Sequence, residues 1–399
     1  NLQLGKWLMG IPVQADRVTR AEPYMAHYDF DASEEQNRRQ GTAPRQEILL
    51  RARTAPAFFG VLCCVAVFAI GFWVYNAWAG LIAAGLLLSN SLFLMLSSQA
   101  MTDAFYNFFL LSCCLAAIAF AKARTPKQAL LITVLSGILA ALACSVKITG
   151  ILLGGAIFFL VVLRRYYAGG IQRSEVLRLL AVFCLFAVGT VYALNPVFWP
   201  SWRELKMGAL LQEARSFSGE IAASKRIPHQ HEEVTSLGVR YPQLRNVGNV
   251  LEFPALFIRW SRSMQRQIDH ANWRGNRVLS IHRELFSLGP PLQPVESDGL
   301  TVEIPGLILA TFTGLGIFFL CGGRRHALFE SEEDAQYVPL IYLLVNYSLV
   351  VLFLKLNWNR YYLPTIIAVD LVAAVGIYGA LKYGFAYLAG KMTPELIES

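Results

Sequence analysis

Residues 128–163 read QALLITVLSGILAALACSVKITGILLGGAIFFLVVL, and Lys147 is the one charged side chain in that run. Two apolar blocks, 128–145 and 148–163, flank a short turn that holds the lysine. A segment of about 20 apolar residues spans the hydrocarbon core of a bilayer as a helix, so the run predicts two antiparallel membrane helices with a cation at the apex. The second block is short for a span and is expected to be tilted or extended.

The same pattern continues on both sides. Further apolar blocks lie at 54–75, 77–98, 103–122, 178–199, 303–322, 338–355 and 361–381, which makes nine with the first two. The expected fold is an all-α polytopic membrane protein, a bundle of about nine transmembrane helices with a partly helical outer segment. No internal repeat or low-complexity tract is evident.

Composition agrees. Of 399 residues, 55% are hydrophobic and 16% charged, against about 25% charged in soluble domains. Mean hydropathy is +0.44. These values argue against a soluble enzyme, a disordered chain or a fibre. The net charge of +8, from 35 basic and 27 acidic residues, implies no nucleic-acid partner, because loops on the cytoplasmic side of membrane proteins collect Lys and Arg. The seven cysteines (Cys63, Cys64, Cys113, Cys114, Cys144, Cys184, Cys321) all sit in or at the edge of apolar blocks without metal-ligand spacing. They read as small apolar helix residues.

Orientation follows from the short basic loops. Lys122, Arg124 and Lys127; Arg164, Arg165, Arg173 and Arg178; and Arg324 and Arg325 fall on one side when the blocks are counted alternately. That side is expected to be cytoplasmic, with the tail 386–399. Arg51 and Arg53 run against the trend. The expected layout is an outer juxtamembrane region 1–53, six helices within 54–199, an outer subdomain 200–302, three helices within 303–385, and the tail. The apolar patch 4–13 is too short to span and suits a helix lying on the bilayer. The expected location is the cytoplasmic (inner) membrane, multi-pass, with the active face outward and membrane lipids as surroundings.

The outer turns carry the chemistry. Asp103 opens the third block in Ser97-Ser98-Gln99-Ala100-Met101-Thr102-Asp103; Lys147 lies in Ser145-Val146-Lys147-Ile148-Thr149-Gly150; Lys355 and Arg360 flank Leu356-Asn357-Trp358-Asn359, followed by Tyr361-Tyr362-Leu363-Pro364. Alternate counting brings them to one face. A carboxylate near several cations suits an anionic ligand with a base or a metal ligand. The plainer reading makes Asp103 a helix cap and has Lys147 and Arg360 reach toward lipid headgroups.

Other clusters are weaker. His229-Gln230-His231-Glu232-Glu233 has a metal-like look that solvated loops share. Asp29, Asp31, Glu34 and Glu35 before Arg38 and Arg39 read as a solvated face. Asp370, inside the last block, is either functional or hydrogen-bonded to a neighbouring helix. There is no Gly-rich phosphate loop, His-Glu-x-x-His pair or Gly-x-Ser-x-Gly elbow.

Six short stretches in series resemble a known family. Leu4-Gly5-Lys6-Trp7-Leu8, the stretch from Tyr28-Asp29-Phe30-Asp31 to Arg51-Ala52-Arg53-Thr54-Ala55-Pro56, Gln99-Ala100-Met101-Thr102-Asp103, Ser145-Val146-Lys147-Ile148-Thr149-Gly150, Asn195-Pro196-Val197-Phe198-Trp199-Pro200 and Arg360-Tyr361-Tyr362-Leu363-Pro364 are similar to motifs of bacterial protein O-mannosyltransferases (glycosyltransferase family 39). They also resemble the related lipid A aminoarabinose transferases. Both are GT-C class integral-membrane glycosyltransferases. The family's His-Pro-Pro is Asn1-Leu2-Gln3 here. Its first span and first outer loop, with the acidic residues assigned to catalysis, are expected upstream of Asn1, and the base with them.

The resemblance implies transfer of a sugar from a polyprenyl-phosphate donor to a protein or lipid hydroxyl, with inversion, on the outer face. Lys147 and Arg360, with Lys355 behind them, are the candidate ligands of the donor phosphate. Asp103 is the candidate catalytic residue within the chain, expected either to hold a divalent metal ion as cofactor or to orient the acceptor. Trp358, Tyr361 and Tyr362 are expected along the sugar or lipid path, and Lys6 marks a family position in the juxtamembrane helix. Two other readings remain: a transporter or lipid flippase, and a non-catalytic subunit of a membrane complex.

Overall fold

A computed structural model describes residues 3–14, 34–40, 46–195, 306–321, 335–349 and 363–388. Every element among them is helical. In chain order they are α1 (Gln3–Gln14), α2 (Glu34–Arg39), α3 (Gln46–Val74), α4 (Ala77–Ser89), α5 (Ser91–Ser98), α6 (Asp103–Ala121), α7 (Pro126–Val146), α8 (Thr149–Tyr167), α9 (Arg173–Leu194), α10 (Gly306–Cys321), α11 (Val338–Ser348, after a 3-10 turn at Ala335–Tyr337) and α12 (Leu363–Leu388).

Among the described residues, six helices are long and apolar enough to cross a membrane: α3, α6, α7, α8, α9 and α12. The block at 77–98 differs from expectation. It is broken into α4 and α5, bent by 71°, and the break falls at Asn90. That side chain accepts from the Phe93 N–H at 3.0 Å and so caps α5 inside the apolar run. An extended residue there ends one helix and starts the next, although both halves are equally apolar. α10 is a shorter apolar helix, and the described part of α11 is shorter still.

Boundaries shift at several ends. α3 starts at Gln46, inside the region expected to lie on the membrane surface, so Arg51 and Arg53 belong to its first turns. α8 runs on to Tyr167, which lengthens the block that looked short for a span. α12 runs on to Leu388, past the expected start of the tail.

In a bilayer, helices associate by close packing rather than by escape from water. Phe59 of α3 packs edge-on against Phe105 and Phe108 of α6, with ring centroids 4.7 and 5.3 Å apart. Phe158 of α8 joins Phe120 of α6 to Phe183 of α9 at 5.1 and 5.2 Å. α6 and α12 are the most enclosed spans and α9 the most peripheral. Leu131, Leu152, Leu185 and Phe385 are exposed, as expected of side chains that face lipid.

The two ends of the bundle differ in chemistry. At the basic end, the Arg165 guanidinium donates to the carbonyls of Phe120 and Ala123 at 2.8 and 2.6 Å. Lys122 donates to the Trp73 carbonyl at 3.0 Å, and Arg164 stacks on the Tyr337 ring at 3.5 Å. Lys122 and Arg165 close the C-terminal ends of α3 and α6, where the helix dipole favours positive charge. The stack of Phe319 on Tyr383, 5.6 Å between centroids, puts the far end of α12 beside the end of α10. Cys321, the last residue of α10, lies near Tyr75 at the end of α3, so the start of α12, at Leu363, lies at the opposite end.

Candidate active site

That opposite end gathers the first turns of α6 and α8 and the last turns of α7 and α9. Asp103 starts α6 with Thr102 as its N-cap. The Thr102 hydroxyl makes no cap bond, and Asp103 does not close the helix either. Its carboxylate accepts from the Lys147 ammonium instead. Asp103 is buried, 2% exposed, and Lys147 is 15% exposed. The two residues that sequence counting placed on one face thus form an ion pair.

The turn between α7 and α8 explains how Lys147 gets there. Lys147 ends α7, and its N–H bonds to the Ala143 carbonyl at 2.9 Å. The Gly150 N–H then donates to the Lys147 carbonyl at 2.8 Å. α8 folds so closely back on α7 that a Cβ on Gly150 would overlap the Ala143 carbonyl carbon. Glycine is required by this close approach, and it holds the lysine at the apex.

Both dipoles favour the pair. Asp103 is in the first turn of α6, where negative charge is stabilised, and Lys147 is at the last turn of α7, where positive charge is. Burial raises the stakes, because losing one partner leaves the other charge unpaired in a poorly hydrated place.

Neighbouring polar side chains brace the pair. The Tyr106 and Thr149 hydroxyls are 2.8 Å apart and hydrogen-bonded. The Lys147 ammonium lies 5.2 Å from the Tyr106 ring centroid, a cation–π contact. The Asn107 amide donates to the Asp103 carbonyl at 2.8 Å. The Asn195 amide donates to the Ser145 hydroxyl at 3.0 Å, joining the end of α9 to the end of α7. α1 rests against the same corner: a Cβ on Gly5 would meet the Thr102 methyl at 2.6 Å. Lys6, the next residue, is exposed.

Sequence reasoning missed Tyr106, Thr149, Ser145 and Asn195 as partners. Tyr106 had a readable signal, since it stands three residues after Asp103 on one helix face. Lys355, Trp358, Arg360, Tyr361 and Tyr362 lie outside the described residues, as do Asp29, Asp31 and the stretch from His229 to Glu233. Glu35 pairs with Arg39 at 2.6 Å on an exposed surface, as a solvated face should. Asp370 is buried, and among the described residues its Oδ2 has no hydrogen-bond partner.

No group of three or more His, Cys, Asp or Glu side chains able to hold a metal ion occurs among the described residues. The Asp103 carboxylate is engaged by the Lys147 ammonium.

Residues 16–205 match the family model described as dolichyl-phosphate-mannose-protein mannosyltransferase. The match begins after α1 and takes in the whole of α2 to α9, with Asp103, Lys147 and Asn195. No curated protein and no solved structure matches the chain. Over the matched segment the chain is similar to that mannosyltransferase family, and its long apolar helices are those of a multi-pass membrane protein.

Proposed function

We propose that the protein transfers a sugar from a polyprenyl-phosphate donor to a hydroxyl acceptor, with inversion, at the Asp103–Lys147 end of the bundle and on the outer face of the membrane. The observation that carries the reading is the buried ion pair at the apex of the α7–α8 turn, within the segment that matches the mannosyltransferase family. The name of that family specifies a lipid-phosphate mannose donor and a protein acceptor.

In the proposed reaction the acceptor oxygen bonds to the anomeric carbon, the bond from that carbon to the phosphate oxygen breaks, and the lipid phosphate leaves with the electron pair. The acceptor proton passes to a carboxylate base. Negative charge grows on the phosphate, and cations already fixed around it lower the barrier. Lys147 has three N–H donors and supplies a point charge held by Asp103. Arg360 adds a fork suited to phosphate oxygens, with Lys355 behind it. Asp103 serves here to orient Lys147, not to take the acceptor proton, and no step runs through a metal. Trp358, Tyr361 and Tyr362 are assigned to the sugar or lipid path, and Lys6 to its rim.

The test uses the membrane-reconstituted protein and a polyprenyl-phosphate mannose, with release of lipid phosphate as the readout. Lys147→Ala and Arg360→Ala should each lower turnover by tens- to hundreds-fold, corresponding to about 2–4 kcal/mol of transition-state stabilisation. Wild-type turnover in both variants would overturn the assignment.

Among the described residues, the broken α4–α5 span favours a transporter, since discontinuous helices are common there. Movement of intact lipid-linked sugar across vesicles, without release of lipid phosphate, would decide for that reading.

A further inference from the structure

Tyr106 and Thr149 do nothing in the reaction as proposed, yet they meet across the helix gap beside the ion pair. Tyr106 is buried, 3% exposed, and sits one turn into α6 from Asp103. Thr149 is the first residue of α8, two positions after Lys147. Their hydrogen bond spans 43 residues of sequence. It ties α6 to the far side of the turn from Lys147, while the Asp103 carboxylate ties α6 to the ammonium itself.

Three contacts therefore bound the lysine from one helix: the Asp103 carboxylate, the Tyr106 ring face and, through Thr149, the turn that carries it. A lysine has four rotatable side-chain bonds and holds no fixed direction unless its surroundings impose one. The ion pair limits the distance of the ammonium from Asp103, and the ring limits the side it approaches from.

We infer that Tyr106 and Thr149 are positioning residues that lock the α7–α8 turn onto α6 and so fix where the Lys147 ammonium stands. The inference builds on the reading of Lys147 as a ligand of the donor phosphate. Its geometric part, the fixing of the ammonium, can be measured without that reading.

The variants are Tyr106→Phe, which keeps the ring and loses the hydroxyl; Thr149→Val, which keeps the shape; and Thr149→Ser, which restores the hydroxyl. Two readouts are taken on the reconstituted full chain. One is kcat and KM with polyprenyl-phosphate mannose. The other is the rate at which an amine-reactive reagent labels Lys147, with Lys122 and Lys127 as internal references.

Tyr106→Phe and Thr149→Val should each lower kcat about five-fold, the size of one neutral hydrogen bond, with little change in KM. The double variant should be no worse than either single, because both remove the same bond. Thr149→Ser should recover most of the loss. Labelling of Lys147 should speed up several-fold in the first two variants while Lys122 and Lys127 keep their rates.

Unchanged labelling of Lys147 in Tyr106→Phe and Thr149→Val would overturn the inference, as would additive losses in the double variant. Faster labelling of Lys122 together with Lys147 would do so too, since it would report a loosened bundle. If Lys147→Ala keeps full turnover while Lys147 labelling still responds to the Tyr106 and Thr149 variants, the phosphate reading fails and the positioning stands.

Discussion

Asp103 and Lys147 are 44 residues apart in sequence and share a hydrogen-bonded ion pair in which the carboxylate is almost fully buried. Each stands at the helix end whose dipole favours its charge. The contact is therefore directional: swapping the two charges would not reproduce it.

Asp103→Asn and Lys147→Met should each destabilise the protein by about 3 kcal/mol, the low end for breaking a buried pair, because Lys147 keeps some exposure. The double variant should recover part of that loss. The exchange Asp103→Lys with Lys147→Asp should remain below wild type by about 0.5–2 kcal/mol, since it opposes both dipoles. Thermal unfolding in one detergent, read as a double-mutant cycle, checks all three. A swapped protein as stable as the native one would show that the dipoles contribute nothing.

Gly150→Ala should be costly, at about 2–3 kcal/mol, because the new methyl meets backbone, which cannot rotate away. Gly85→Ala and Gly189→Ala, also in helices but with open space where the methyl would go, should be neutral or stabilise by up to about 1 kcal/mol. Melting temperatures of the three variants, measured side by side, test the contrast.

Arg165→Met should lower stability by about 1–3 kcal/mol, since it removes charge-assisted bonds to two carbonyls at the end of α6. Arg165→Lys should recover only part of that, because one ammonium cannot reproduce the guanidinium fork. Slower amide exchange around Ala121 in the lysine variant than in the methionine variant would be the expected signature. Equal exchange in both would count against the cap.

Much of this arrangement was readable. The long apolar runs announced helices because nothing else satisfies a backbone in hydrocarbon. Counting basic loops put Asp103 and Lys147 on one face. Other features were hidden for physical reasons. The break at Asn90 separates two equally apolar halves, so hydropathy carries no trace of it. The start of α3 at Gln46 is polar and looks like surface. Lys122 and Arg165 were read as orientation charges only, because a cap depends on where another helix ends. Tyr106 looked like one aromatic among many until Thr149 was seen opposite its hydroxyl.

Asn90→Ala should cost about 1 kcal/mol, the usual worth of an N-cap, and should loosen the start of α5 ahead of the rest of the bundle. Cysteine accessibility at Leu92→Cys in an otherwise cysteine-free chain would report it. Labelling no faster than in the Asn90 parent would argue that neighbouring helices, and not the cap, hold the bend.

The turn between α7 and α8 leaves two residues, Lys147 and Ile148, outside the helices. So short a link has no slack, so α7 and α8 form one tight hairpin whose apex is the ammonium. α6 grips that apex through Asp103. A single side-chain contact thus anchors a hairpin to a third helix at the point where the hairpin reverses, and any sliding of α7 or α8 against α6 must first break it.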